Sequence, residues 1–169
     1  MKTQLACMAI ALLAALPPLP ANAATDRKIV HGTICQPENP ADTAKLRYTG
    51  RGLHAQSGDV QLVCPIVRDS TASSLVSVKV RFQRGFDNEV VNIPGGKFRI
   101  EFLSCDDLGF GNSCRSSGLH ASDDANNPTS AGVDNFSGIP MDEDRAFVIK
   151  TTLPKGTVLK SITYTEKVK

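Results

Sequence analysis

No tryptophan occurs among the 169 residues, tyrosine occurs only at Tyr48 and Tyr164, and aromatics reach 5 % overall. Sugar clefts are ordinarily lined by aromatic rings, so this scarcity disfavours both a glycosidase and a carbohydrate module built on an aromatic platform. Histidine is scarce too. His31, His54 and His120 are the only candidates for the usual base of a hydrolase, no Gly-x-Ser-x-Gly motif accompanies them, and structural roles account for all three. An excess of charge of one sign is also missing: 19 Lys and Arg stand against 17 Asp and Glu, a balance that points to neither nucleic acid nor a membrane surface. Heptads, a sustained 3.6-residue period and internal repeats are absent, which removes helical bundles and solenoids from consideration.

The longest apolar run lies at the start. Residues 1–23, MKTQLACMAIALLAALPPLPANA, read as a signal peptide: Lys2 supplies the positive end, Leu5 to Leu16 an apolar stretch too short to span a bilayer, and Ala21-Asn22-Ala23 a small-residue cleavage site. Leu5-Ala6-Cys7 has the look of a lipoprotein motif. A lipidated cysteine must follow the apolar run, however, and Cys7 stands at its start. Cleavage after Ala23 leaves residues 24–169 as one domain, long enough to bury about two-thirds of its unfolded surface and carrying a net charge of about +1 once Lys2 is lost. The expected location is outside the cytoplasm, periplasmic or secreted, with no transmembrane anchor.

Four cysteines then remain, Cys35, Cys64, Cys105 and Cys114. An even number in an exported chain reads as two disulfides, for which three pairings exist. Cys35–Cys64 with Cys105–Cys114 is favoured, because the second pair brackets a glycine-rich stretch, Asp106 to Ser113, that can bring its ends together. Zinc is the competitor, and no Cys-x₂-Cys pair supports it.

Alternation with period two recurs along the domain. Val76, Val78, Val80 and Phe82 are expected to face the core, with Ser77, Lys79, Arg81 and Gln83 in water; Phe98, Ile100 and Phe102 repeat the pattern against Lys97, Arg99 and Glu101. Ser57-Gly58-Asp59 reads as the turn of a hairpin between a segment around Leu53 and Val60 to Val67, and Pro154-Lys155-Gly156 as the turn of a closing hairpin between Phe147–Leu153 and Thr157–Thr165. Ser116 to Arg145 reads as a long loop with a short strand around Val133 to Ile139. The fold expected is all-β, an antiparallel β-sandwich of about six to seven strands stapled by disulfides.

Val30-His31-Gly32-Thr33-Ile34-Cys35-Gln36-Pro37, Val63-Cys64-Pro65, and Thr152-Leu153-Pro154 leading to Ser161-Ile162-Thr163-Tyr164 together resemble a group of small exported bacterial proteins of unknown function. The resemblance implies a small β-sandwich in which the Cys-Gln-Pro and Val-Cys-Pro motifs are the two ends of one bridge, supporting Cys35–Cys64, and it implies no activity. Similar proteins tend to carry a further cysteine near Thr151, where this chain has none. Cys114 is the local substitute as partner of Cys105.

Asp123, Asp124, Asp134, Asp142 and Asp144 place hard oxygen ligands in one loop, the donor type Ca²⁺ takes outside the cell, although the spacing matches no EF-hand and turns favour Asp on their own account. Asp106, Asp107 and Asn112 in the small disulfide loop are a lesser set of the same kind. Lys79, Arg81, Lys97 and Arg99 would form a basic stripe suited to an anionic polysaccharide or nucleic-acid backbone if their two strands were neighbours. The first expectation for function is an exported, non-enzymatic domain of structural or interaction type, with another envelope protein or a polysaccharide as partner. The second is a ligand-binding or calcium-stabilised accessory domain using the 116–145 loop, and the third an unrecognised hydrolase. No cofactor other than Ca²⁺ is expected.

Overall fold

A computed structural model describes residues 25–68, 74–85, 97–106, 113–122, 129–141 and 145–167. Residues 1–23, expected from sequence to be a signal peptide, lie outside the described residues, as do Asp107, Asn112, Asp123, Asp124, Asp142 and Asp144. Eleven strands occur among the described residues: β1 (Thr25–His31), β2 (Gln36–Pro37), β3 (Leu46–Thr49), β4 (Gly52–Ala55), β5 (Val60–Ile66), β6 (Ser74–Gln83), β7 (Arg99–Asp106), β8 (Cys114–Ala121), β9 (Ser130–Val133), β10 (Arg145–Leu153) and β11 (Val158–Lys167). They form two antiparallel sheets, one of six strands in the order β3-β4-β11-β6-β9 with β1 also paired to β11, the other of five in the order β2-β5-β10-β7-β8. The β-sandwich is as expected. The count of six to seven strands is corrected to eleven, because β1, β2, β3 and β8 are short, peripheral or polar and carry little apolar alternation.

Inward rows from both sheets build the core, which includes Leu53, Val80 and Ile162 from one sheet and Leu62, Ile100, Phe102 and Ile149 from the other. Phe82 and Phe98 stack face to face with ring centroids 4.0 Å apart. One position of the expected β6 row is wrong. Val76 is 43 % exposed whereas Leu75, Val78, Val80 and Phe82 are buried. The cause is a bulge: Thr165 pairs with Ser77 but Glu166 pairs with Leu75, so Val76 has no partner and the inside–outside alternation resets there.

Neither expected hairpin forms. β4 lies in the six-stranded sheet and β5 in the five-stranded one, and β10 and β11 are divided the same way. A Pro-x-Gly turn presets a reversal but not the layer into which the chain returns. β10 already has β5 and β7 on its two edges, and β11 has β6 on one edge with β1 and β4 sharing the other, so each strand is filled without the other. The two crossings run side by side instead: Lys155 N–H donates to Asp59 Oδ1 at 2.8 Å, and Gly156 N–H to the Ala55 carbonyl at 2.6 Å. The segment 116–145, expected as a loop, holds most of β8 and all of β9, and the short strand falls at Ser130–Val133 rather than Val133–Ile139.

Both disulfides pair as favoured, Cys35–Cys64 and Cys105–Cys114, which removes the zinc alternative. They differ in setting. Cys35 and Cys64 are wholly buried, whereas Cys105 and Cys114 face each other across β7 and β8 with Cys114 exposed. The ends of the smaller loop are also held by Arg145, which donates to Ser104 Oγ at 2.7 Å and to the carbonyls of Ser104 and Ser113, and pairs with Asp106. Replacing Cys35 and Cys64 by Ala is therefore expected to cost about 3 to 4 kcal/mol in the loop-entropy account, and replacing Cys105 and Cys114 under about 2 kcal/mol, because Arg145 limits the freedom regained. Urea unfolding of the two double variants checks the order; a reversed order would show that the exposed bridge carries the greater constraint.

Candidate functional site

Period-two geometry turns alternate residues of the five-stranded sheet outward: Gln61 on β5, Lys150 and Thr152 on β10, Arg99 and Glu101 on β7. Register then gathers them, since Lys150 lies between Val63 and Glu101, and Thr152 faces Gln61. With Glu38 just beyond β2 and Leu119 on β8, they line a groove of ≈ 490 Å³ across the outer face of the sheet. Thr151 points the other way and donates to the Arg99 carbonyl at 2.7 Å, tying the groove floor across β10 and β7.

Charges in the groove are largely balanced within it. Lys150 Nζ pairs with Glu38, and Ser116 Oγ donates to Glu101. The Lys150 and Glu38 side chains are 38 % and 40 % exposed, so their pair is worth at most about 1 kcal/mol and a ligand displaces it at little cost. The Arg99 guanidinium has no ion pair or hydrogen bond among the described residues. The groove thus offers an array of hydrogen-bonding groups near neutrality, with no cysteine or histidine in its lining.

The histidines fall on three elements in two sheets. His31 ends β1, is exposed, and its Nδ1 lies 3.0 Å from Thr33 Oγ1; His54 is buried in β4; His120 on β8 has Nε2 3.1 Å from the Ser117 carbonyl. No carboxylate is bonded to His31 or His120 among the described residues, so neither has the orienting acid of a triad. Asp134, the one of the five acidic-loop candidates within the described residues, is exposed beyond the end of β9, and the adjoining Asn135 accepts the Ser137 N–H at 2.9 Å in a local turn. No group of three His, Cys, Asp or Glu placed to hold a metal occurs among the described residues. Asp106 is engaged by Arg145 and Ser113.

The basic stripe as drawn from sequence does not exist: Lys79 and Arg81 lie on β6 of one sheet, Arg99 on β7 of the other, with Lys97 before it. Sequence reasoning missed the groove itself. Lys150 and Thr152 stand at the polar positions of an alternating run, a signal that was present, but bringing Glu38 to Lys150 requires knowing that β2 pairs with β5 and β5 with β10. No helix among the described residues is long and apolar enough to cross a membrane. No family model matches the chain, and no curated protein matches it closely enough to count as a relative.

Proposed function

We propose that this is an exported, disulfide-stapled interaction domain that holds a neutral polar ligand, such as a short stretch of uncharged glycan, in the groove over the five-stranded sheet. The observation that carries the reading is the groove: its volume lies within the range of small-ligand sites, and its lining sets hydrogen-bonding side chains with internally balanced charges beside the apolar Leu62 and Leu119. Hydroxyl-bearing ligands exchange hydrogen bonds with such a lining without requiring a charged group of their own. Two buried bridges' worth of constraint is not needed for this; one buried and one exposed bridge suit a rigid sheet face in an oxidising compartment. Glu38 and Glu101 in one groove also favour a second reading, glycoside hydrolysis by two carboxylates.

The test is calorimetric titration with neutral oligosaccharides, followed by analysis of the same samples for newly formed reducing ends. Binding is expected for the native protein and is expected to vanish in Thr152→Arg, which fills the groove from an exposed position, while the melting temperature stays put. Equal binding by Thr152→Arg, or no oligosaccharide bound by the native protein, would overturn the groove reading; release of reducing ends would replace it by hydrolysis.

A further inference from the structure

The opposite face of the sandwich has a different electrostatic character. Ladders β1–β11, β11–β6 and β6–β9 align His31, Ser161, Arg81 and Ser130 in one outward row, and Ile29, Thr163, Lys79 and Gly132 in the next. Arg27, Thr165 and Ser77 make a third, and Lys167 lies beyond it. Every exposed charged side chain on β1, β6, β9 and β11 is a cation: Arg27, Lys79, Arg81, Lys160 and Lys167. None of the five makes a side-chain hydrogen bond or ion pair among the described residues. The acids of the same strands turn to the other side, Asp26 half-buried and Glu166 buried against Lys28; Asp134, one residue past β9, sits at the margin. A chain near overall neutrality thus concentrates unpaired positive charge on one face.

Solvation alone or protection of a sheet edge accounts poorly for this placement. Lys79 and Arg81 sit on β6, an interior strand flanked by β11 and β9, where no edge needs protecting. Strand geometry puts the two about 7 Å apart along β6 and puts Arg27, two strands across and one row along, about 12 Å from Lys79 and about 17 Å from Arg81. Between the cations the floor is hydroxyl: Ser77, Ser161, Thr163 and Thr165.

We infer that this face binds an anionic polysaccharide, a chain whose carboxylate groups pair with Arg27, Lys79 and Arg81 while its hydroxyls meet the serine and threonine floor. Charge complementarity selects a polyanion. The rows hold no Phe, Tyr or Trp, and the single imidazole of His31 does not make the succession of stacking platforms that single-stranded nucleic acid uses. Along β1, β6, β9 and β11 the large apolar side chains exposed among the described residues are the separate Ile29 and Val76, too little for an amphipathic surface that inserts among lipids. The surface is independent of the groove, which lies on the other sheet.

The experiment measures binding of the full protein to polygalacturonate, with single-stranded DNA and vesicles rich in phosphatidylglycerol as comparators. Polygalacturonate is expected to bind best and to lose about twentyfold in affinity between 50 and 200 mM salt, as counterion release by about three cations requires. Combining Arg27→Ser, Lys79→Ser and Arg81→Ser, all exposed positions, is expected to reduce affinity at least tenfold with the melting temperature unchanged. Arg99→Ser with Lys155→Ser, which removes cations elsewhere, and the groove variant Thr152→Arg are expected to leave it intact. Retention of polygalacturonate by the triple variant, equal loss in the Arg99→Ser, Lys155→Ser control, or tighter binding of DNA or vesicles would each overturn the inference.

Discussion

Val78→Asp is expected to abolish folding, whereas Val76→Asp, two residues away in the same strand, is expected to fold with a stability within about 0.5 kcal/mol of the native protein. The contrast comes from the bulge in β6. Val78 is 1 % exposed and pairs with Tyr164 and Val133, so a carboxylate there enters the core with no partner; Val76 is 43 % exposed and skipped by the β11 ladder. Burying an unpaired charge costs several kcal/mol or more, a large part of the 5 to 15 kcal/mol that holds a typical domain together. Lys79→Asp, on the outward side, is expected to be mild. Circular dichroism melts of the three variants decide the matter: if Val76→Asp unfolds as readily as Val78→Asp, the alternation runs unbroken and there is no bulge.

Simple alternation reads β6 correctly from Val78 to Phe82 and fails at Val76, and the failure has a physical source. A bulge is a relation between two strands, and the residues that reveal it, Thr165 and Glu166, stand almost ninety positions away. Local chemistry was equally good at finding Phe98, Ile100 and Phe102 and the turn residues around Gly58 and Gly156, but turn residues specify a reversal, not the sheet that receives the strand. β8 escaped because Gly118, at φ +78°, interrupts an edge strand with few apolar residues to alternate. β1 escaped because its inward positions are Asp26, Lys28 and Val30, two of them charged. The same limit applies to function. Lys150 was visible as a polar position in an apolar strand, yet its partner Glu38 is 112 residues distant and reaches it only through two strand pairings. The cations of β6 are legible in sequence as outward positions, but the cation that joins them across the sheet is Arg27, not the Lys97 and Arg99 nearer in sequence.

The charge inside β1 leads to the second large expected effect, a loss of about 3 to 5 kcal/mol in Lys28→Met. Glu166 is 1 % exposed; its Oε2 accepts from Lys28 Nζ at 2.6 Å, and its Oε1 has no hydrogen-bond partner among the described residues. Without Lys28 this carboxylate stays buried and uncompensated. Replacing both members of a buried pair by apolar side chains removes that penalty, so Lys28→Met with Glu166→Leu is expected to recover most of the stability lost by Lys28→Met alone. Urea unfolding of the single and double variants measures this, and a loss below about 1 kcal/mol in Lys28→Met would show that Glu166 is adequately solvated without it. If the double variant is as stable as the native protein, the pair serves something other than stability, and register is the candidate. Lys28 faces Tyr164 in the ladder and reaches Glu166 diagonally. A one-residue slip of β1 would turn Lys28 outward and drive Arg27 and Ile29 inward. The ion pair opposes that slip, and in holding Lys28 inside it holds Arg27 outside, on the basic face. Polygalacturonate binding by the double variant therefore separates the two roles: a stable double variant with weakened binding is the expected mark of a lost register, whereas full binding would leave the β1–β11 ladder alone as the determinant of where Arg27 points.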